Sequence, residues 1–298
     1  PWRVSWEPGW QKSAYENIIS DPLTMIFGQV VHGSVIADLM AHFSIEPAAV
    51  MGYSLGESAG YFAMHVWPER GEMLRRMKNT NLFSSELAGP CNAARKVWNV
   101  APDENVDWRV AVVNRKAELV RRVVSRHETT RLLIINTPAE CVIGGRRLEV
   151  RAAIQDLDCE AIYLDGIVTV HCDALRPVKE AYRELHLFPT HQPQGIRFYS
   201  CALGRSFKLT EKKAADSILN QALHGFDFTA TVRQAYRDGV RIFLEIGPYT
   251  SCTRMIDRIL GLQPHRAISA SIQGQDEILT ILKAAAALIA ERIPVDPG

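Results

Sequence analysis

The sequence predicts an α/β fold with a parallel sheet, and three observations carry that prediction. Short apolar runs bounded by turn residues alternate with longer segments of three-and-four apolar spacing. A β-α-β-β-α-β order occupies the middle of the chain and interrupts that alternation. A single Gly-x-Ser-x-Gly, Gly52 to Gly56, falls between one apolar run and one helical segment.

The elements follow in order. Residues 22–43 have helical spacing, with Asp21 as cap and Pro22 in the first turn. "AAVMGY" (48–53) is a short buried strand, and a helix with small residues at Gly56, Ala59 and Gly60 runs from Leu55 to Val66. In the middle, "WRVAVVN" is a strand, 115–127 a helix, "TRLLIINT" and "ECVIGG" two strands about Pro138-Ala139, 146–157 a helix and "CEAIYLDG" a strand. That order defines a ferredoxin-like insert over 107–166, with residues 1–106 and 167–298 forming the main domain. After it come a helix over 173–186, the strand "IRFYS" and a helix ending at Gly225. A helix over 226–239, the strand "VRIFLEIG" and helices near 250–261 and 275–291 complete the pattern. The tail "RIPVDPG" reads as a linker.

Composition narrows the function classes. The 298 residues are 47% hydrophobic and 22% charged, ordinary globular values, and a net charge of +1 gives no electrostatic case for nucleic acid or an anionic membrane. No uninterrupted apolar run reaches the roughly 20 residues that span a bilayer. The start, "PWRVSWEPGW", lacks the pattern of a signal peptide and reads as a segment cut from a longer chain. Six cysteines without a C-x-x-C pair read as free thiols in a reducing, cytoplasmic setting.

Ser54 has two readings. A serine on a sharp strand-to-helix turn is a nucleophile, given a base and N–H donors for the oxyanion. Alternatively, Ser54 and Glu57 form a capping box, Ser as N-cap and Glu three residues on. The strand before and the small-residue helix after favour the nucleophile. Of nine histidines, His32, His42 and His65 fall on helices, His127 and His265 at element edges, His186 and His191 beside Phe188-Pro189, and His224 at a helix end. His171 lies in "GIVTVHCDALRPV", where the insert rejoins the main domain and a cleft is expected.

"GYSLGE", "IINTPAECVIGG", "TVHCDALRPV" and "FLEIGPYTSCTRMI" stand in the order and spacing of the malonyl-CoA:acyl carrier protein transacylases, which the chain resembles over nearly its whole length. "GYSLGES", "MLRRM" and "LAGPCNAARKVW" most resemble the acyltransferase domains of polyunsaturated fatty-acid and polyketide synthases. The resemblance implies an α/β-hydrolase-like large subdomain with a ferredoxin-like small one. It implies Ser54 as nucleophile, His171 as base then acid, the Gln221 carbonyl orienting His171, and the Leu55 N–H in the oxyanion hole. It further implies Tyr53, Lys78, Asn79, Asn136 and Val170 about the substrate. The chemistry it implies is ping-pong: a CoA or carrier-protein thioester acylates Ser54, and a phosphopantetheine thiol on an acyl carrier protein takes the acyl group. No cofactor or metal is implied, and the partners are acyl-CoA, acyl carrier protein and other domains of a synthase. The alternative is a thioesterase-like hydrolase releasing a finished fatty acid.

Two departures from the family pattern stand out. The family's N-terminal strand and Gly-Gln loop, a second source of oxyanion N–H, precede the point where this sequence starts, and Gly28-Gln29 lies inside a helix. The arginine that grips malonyl's carboxylate is absent: its place falls near Lys78, Asn79 or Thr80. An acyl group without a free carboxylate is therefore expected. Arg75, Arg76, Lys78, Arg121 and Arg122 are candidate contacts to an acidic carrier, against the alternative of solvated helix faces. Cys172 is read as packing, its side chain directed away from that of His171.

Overall fold

The structure, a computed structural model, describes residues 7–296. The first six residues of the "PWRVSWEPGW" segment lie outside it, as do the last two of the tail. The elements in chain order are α1 (Trp10–Ser20), α2 (Pro22–His42), β1 (Ala49–Met51), α3 (Leu55–Ala63), α4 (Arg70–Lys78), a π-helical turn (Leu82–Glu86), α5 (Asn92–Val97), β2 (Trp108–Val113), α6 (Ala117–Val124), β3 (Arg131–Thr137), β4 (Glu140–Arg146), α7 (Arg147–Asp156) and β5 (Ala161–Leu164). A 3₁₀ turn (Asp173–Val178) follows, then α8 (Lys179–Leu185), β6 (Arg197–Ser200), β7 (Arg205–Phe207), α9 (Glu211–His224), β8 (Phe226–Asp227), α10 (Phe228–Arg237), β9 (Ile242–Glu245), α11 (Ser251–Leu260), β10 (Arg266–Ser269) and α12 (Glu277–Ala290).

The fold is α/β with parallel pairing, built of three sheets rather than one open sheet plus an insert. β1 lies parallel to β6, with Val50 opposite Phe198, and β7 pairs antiparallel on the other side of β6. β9 and β10 form a separate parallel pair. No described strand joins the two pieces.

The middle segment forms the sheet β5-β2-β4-β3, all antiparallel, the strand order of a ferredoxin-like unit. Its two faces follow from alternation along each strand. Val110 and Val142 pack toward the main body, whereas Ala111, Val113, Cys141 and Ile143 pack on α6 and α7. A fifth strand comes from outside residues 107–166: β8 lies parallel to β3, Ile134 opposite Phe226. Sequence spacing places Phe226 and Asp227 in a helix. Asp227 instead ends the strand and caps α10, accepting from the Ala230 N–H at 2.9 Å.

Other differences have local causes. The helix expected over 173–186 starts as a 3₁₀ turn containing Pro177, which has no N–H to donate, and becomes α-helical only from Lys179. His65 lies beyond α3 with φ 53°, pairing with Asp38. The tail does not simply leave: Ile293 and Val295 pack on the cluster of α2, β10 and α12, and the Asp296 N–H donates to the Phe43 carbonyl. By length and composition α2 is apolar enough to cross a bilayer. Here its Val30, Ile36 and Met40 are core residues, and Asp21 caps it as expected, accepting from Leu23 N–H.

Candidate active site

The strand-to-helix turn after β1 is sharp. Ser54 holds φ 53°, ψ −117°, a left-handed strain of about 1–3 kcal/mol that only its surroundings can impose. The Gly56 N–H closes the turn onto the Tyr53 carbonyl at 2.8 Å. Gly52 makes this approach possible: a Cβ there would lie 2.0 Å from the Gly56 carbonyl carbon. Ser54 makes no side-chain cap bond, so the capping-box alternative is not what forms. Its hydroxyl meets His171 Nε2 at 2.7 Å instead. Leu55 is the first helical residue, where an N–H has no intrahelical acceptor.

His171 is held by the end of α9. Carbonyls in the last turn of a helix keep lone pairs free for outside donors, and His171 engages two of them, one of which, Gln221, also accepts from the Gly225 N–H at 3.0 Å. The His171 Nδ1 lies 2.8 Å from the Gln221 carbonyl, and its backbone N–H donates to the Ala222 carbonyl at 2.5 Å. The Nδ1 contact fixes the tautomer: that nitrogen carries the hydrogen and Nε2 offers its lone pair to Ser54. His171 also has φ 67°, so both members of the pair sit in strained backbone. Gly225, φ 70°, ends α9 where a Cβ would lie 2.1 Å from the Leu133 carbonyl oxygen. The helix end can therefore press against β3 and the His171 loop together.

Burial lowers the His171 pKa to about 4, partly opposed by the Gln221 carbonyl. The imidazole is therefore a neutral base at ordinary pH. A cation formed on it faces the negative end of the α9 dipole, which stands where a carboxylate would in a triad. The neighbouring Cys172 thiol is buried, its pKa raised by desolvation to about 12, and packs in the core facing the small sheet.

The other expected substrate residues divide. The Tyr53 hydroxyl donates to Asn136 Oδ1 at 2.8 Å, and Asn136 Nδ2 donates to Glu140 at 2.9 Å. Glu140 in turn accepts from Arg258 on α11 at 2.8 Å. Tyr53 and Asn136 are thus engaged with each other, joining the turn that carries Ser54 to β3 and, through Glu140, to β4. Tyr53 stands edge-on to Phe226, which is also edge-on to His171. Val170 is buried in the large helical core beside His171. Lys78 and Asn79 lie at the end of α4 and bond to neither Ser54 nor His171. Lys78 lines a cavity of about 440 Å³ with Asp21, Met77, Thr80 and Phe83.

Arg76 is not a solvated residue: it pairs with Glu72, donates to the Leu187 carbonyl at 2.7 Å and stacks on Phe188 at 4.1 Å. Arg75 pairs with Glu72, while Arg121 and Arg122 are exposed.

Sequence reasoning missed three contacts behind the pair. Gln221 Nε2 donates to the Ser54 carbonyl at 3.2 Å, and Glu57 is buried against Ser217 and Tyr61. The available signal was spacing: Ser217 and Gln221, four residues apart, are polar on the α9 face that also carries Ala214, Ile218 and Ala222. Among the described residues no group of three or more His, Cys, Asp or Glu is placed to hold a metal ion.

This geometry sits on an acyltransferase fold. The chain superposes on the acyltransferase domain from the second module of the salinomycin polyketide synthase with a TM-score of 0.75 at 17% identity, covering 94% of this chain and 62% of that one. It superposes on malonyl-CoA:acyl carrier protein transacylase from Xanthomonas oryzae pv. oryzae with a TM-score of 0.72 at 18% identity, covering 90% and 82%. In sequence, a polyunsaturated fatty acid synthase polypeptide of Thraustochytrium sp. is 24% identical over 268 residues, 84% of this chain. The non-reducing polyketide synthase pkgA of Emericella nidulans is 22% identical over 285 residues, 93% of this chain. This chain spans 13% and 15% of the lengths of those two relatives. No family model matches it.

Proposed function

We propose that the chain is a serine acyltransferase domain of a fatty-acid or polyketide-type synthase, moving an acyl group between thioesters through acyl-Ser54. The observation that carries this reading is the line Ser54 Oγ–His171 Nε2, His171 Nδ1–Gln221 O on an acyltransferase fold. His171 takes the Ser54 proton as the oxygen attacks the thioester carbonyl, and the Leu55 N–H faces the oxyanion. The imidazolium then gives its proton to the departing thiolate. An incoming phosphopantetheine thiol yields its proton to His171, attacks the acyl-serine carbonyl, and Ser54 is restored when His171 returns the proton. Breaking one thioester and making another leaves the exchange near neutral in energy.

The partners in this reading are acyl-CoA and an acyl carrier protein, with Lys78, Arg121 and Arg122 as cations available to an acidic carrier. Because none of Lys78, Asn79 or Thr80 offers the planar arginine fork that grips malonyl's carboxylate, the preferred acyl group carries no free carboxylate. The thioesterase alternative is not favoured, the similar proteins being synthases and transacylases.

Intact-protein mass spectrometry after mixing with malonyl-CoA, acetyl-CoA and a long acyl-CoA tests the proposal. Adducts with the uncharged acyl groups, absent in Ser54→Ala and discharged by a carrier protein, are expected. A Ser54-dependent malonyl adduct refutes the substrate preference, and an adduct lost to water alone refutes transfer.

A further inference from the structure

Among the described residues Glu57 is the one fully buried carboxylate, 2% exposed in the first turn of α3. An acid there suits a helix N-terminus on the surface, yet this one turns inward. Its carboxyl receives the Tyr61 hydroxyl of the same helix at 2.9 Å, the Cys201 N–H at the end of β6 at 3.3 Å, and the Ser217 hydroxyl of α9. Ser217 also bonds Ser200 Oγ at 2.6 Å, and Ser200 Oγ accepts from the Leu203 N–H at 3.2 Å. Three elements therefore meet at one carboxyl: the helix that begins at Ser54, the strand beside β1, and the helix whose last turn holds His171.

The register of α9 gives this meeting its consequence. Ser217 and Gln221 are one turn apart on the same face, and both reach α3: Ser217 to Glu57, and Gln221 through its side chain to the Ser54 carbonyl. The Gln221 carbonyl meanwhile holds the His171 ring. Ser54 rides on α3 and His171 hangs on α9, so their 2.7 Å separation is the distance between two helix ends. Two cross-links one turn apart fix both spacing and tilt, where either alone leaves a pivot.

We propose that Glu57 is a positioning residue for the acyl-transfer dyad: bridged to Ser217, it locks α3 onto α9 and so sets the reach of His171 to Ser54. It touches neither substrate nor reacting atom. Its partners suit both protonation states, since the Tyr61 and Ser217 hydroxyls can donate or accept while the Cys201 N–H only donates. Burial raises the Glu57 pKa to about 7, so a neutral amide of the same shape can fill the site. The inference rests on the acyltransferase reading above.

The rate of Ser54 labelling by a fluorophosphonate tests it, with thermal melts run beside it. Glu57→Ala leaves the Tyr61 hydroxyl and the Cys201 N–H without their carboxylate partner, Ser217 keeping Ser200, and loosening the dyad by about an ångström is expected to slow labelling on the order of 10²-fold at a temperature where the variant is folded. Glu57→Gln should restore most of that rate, because its amide oxygen can accept from the Cys201 N–H while its NH2 group donates to the Tyr61 and Ser217 hydroxyls, which then act as acceptors. Ser217→Ala, which keeps the buried carboxyl but cuts the bridge, should fall between, and it stands in if Glu57→Ala does not fold. Folded Glu57→Ala or Ser217→Ala labelling at the wild-type rate, with only the melting temperature lowered, overturns the proposal. So does a Glu57→Gln variant as slow as Glu57→Ala. Wild-type protein inert to the probe overturns the acyltransferase reading and this inference together, whereas reactive wild type with equally reactive variants overturns this inference alone.

Discussion

Acylation of Ser54 in a His171→Ala variant is expected to be slower on the order of 10³-fold, the contribution of a well-placed general base. The site offers no substitute: Ser54 Oγ bonds to His171 Nε2, and among the described residues no second base touches it. Because the His171 pKa is lowered to about 4, the neutral form persists as pH falls, and wild-type acylation should hold level from pH 7 to near 5 before declining. A decline centred at the ordinary histidine value of 6.5 shows that the working base is not this buried ring. Stability carries the same signature. A base with a depressed folded pKa contributes stability that is complete above 6.5 and lost as pH falls through 4. Relative to wild type, His171→Ala should therefore gain about 3 kcal/mol between pH 6.5 and 4, a shift that denaturation series at several pH values will read.

The two glycines of the Ser54 motif should behave oppositely. In Gly52→Ala the new Cβ lies 2.0 Å from the Gly56 carbonyl carbon and 2.1 Å from the Glu57 nitrogen, all backbone that cannot step aside. The first turn of α3 must shift, and a loss above about 4 kcal/mol is expected, with no fluorophosphonate labelling of any folded remainder. Gly56 is different: nothing lies within 4 Å of a Cβ built there. Gly56→Ala should melt at or above the wild-type temperature, gaining up to about 1 kcal/mol of helix propensity. A Gly52→Ala variant that melts and labels like wild type contradicts the tight turn.

Where local signals were strong, the sequence was enough to place elements. Asp21-Pro22 begins α2, Gly225 ends α9, and the alternation in "WRVAVV" and "ECVIGG" orients both strands of the small sheet. Short elements escaped because their cause is tertiary. β7 and β10 are three and four residues long, below the span over which period-two alternation declares itself. β8 exists because β3 offers an edge, which no window around Phe226 reveals. In the site, motif, junction and family resemblance point to Ser54 and His171, which the fold brings within 2.7 Å of each other. For Glu57 the sequence offers only the capping-box alternative, because Ser-x-x-Glu before an apolar segment fits a cap as well as a core acid. Tyr53 and Asn136, expected about the substrate, bond to each other across 83 positions of sequence.

One thiol lies directly behind the turn that carries Ser54. Cys201 Sγ is 3.1 Å from the Gly52 carbonyl, 2% exposed, and its pKa is raised well above the ordinary thiol value by burial and by Glu57. Burial and the raised pKa shield that sulfur from alkylating reagents until the turn carrying Ser54 parts from the end of β6. Cys201 is thus a built-in clock for local opening. Its alkylation, read at the peptide level against the less buried Cys159, counts how often the turn carrying Ser54 comes undone while the rest of the chain stays folded.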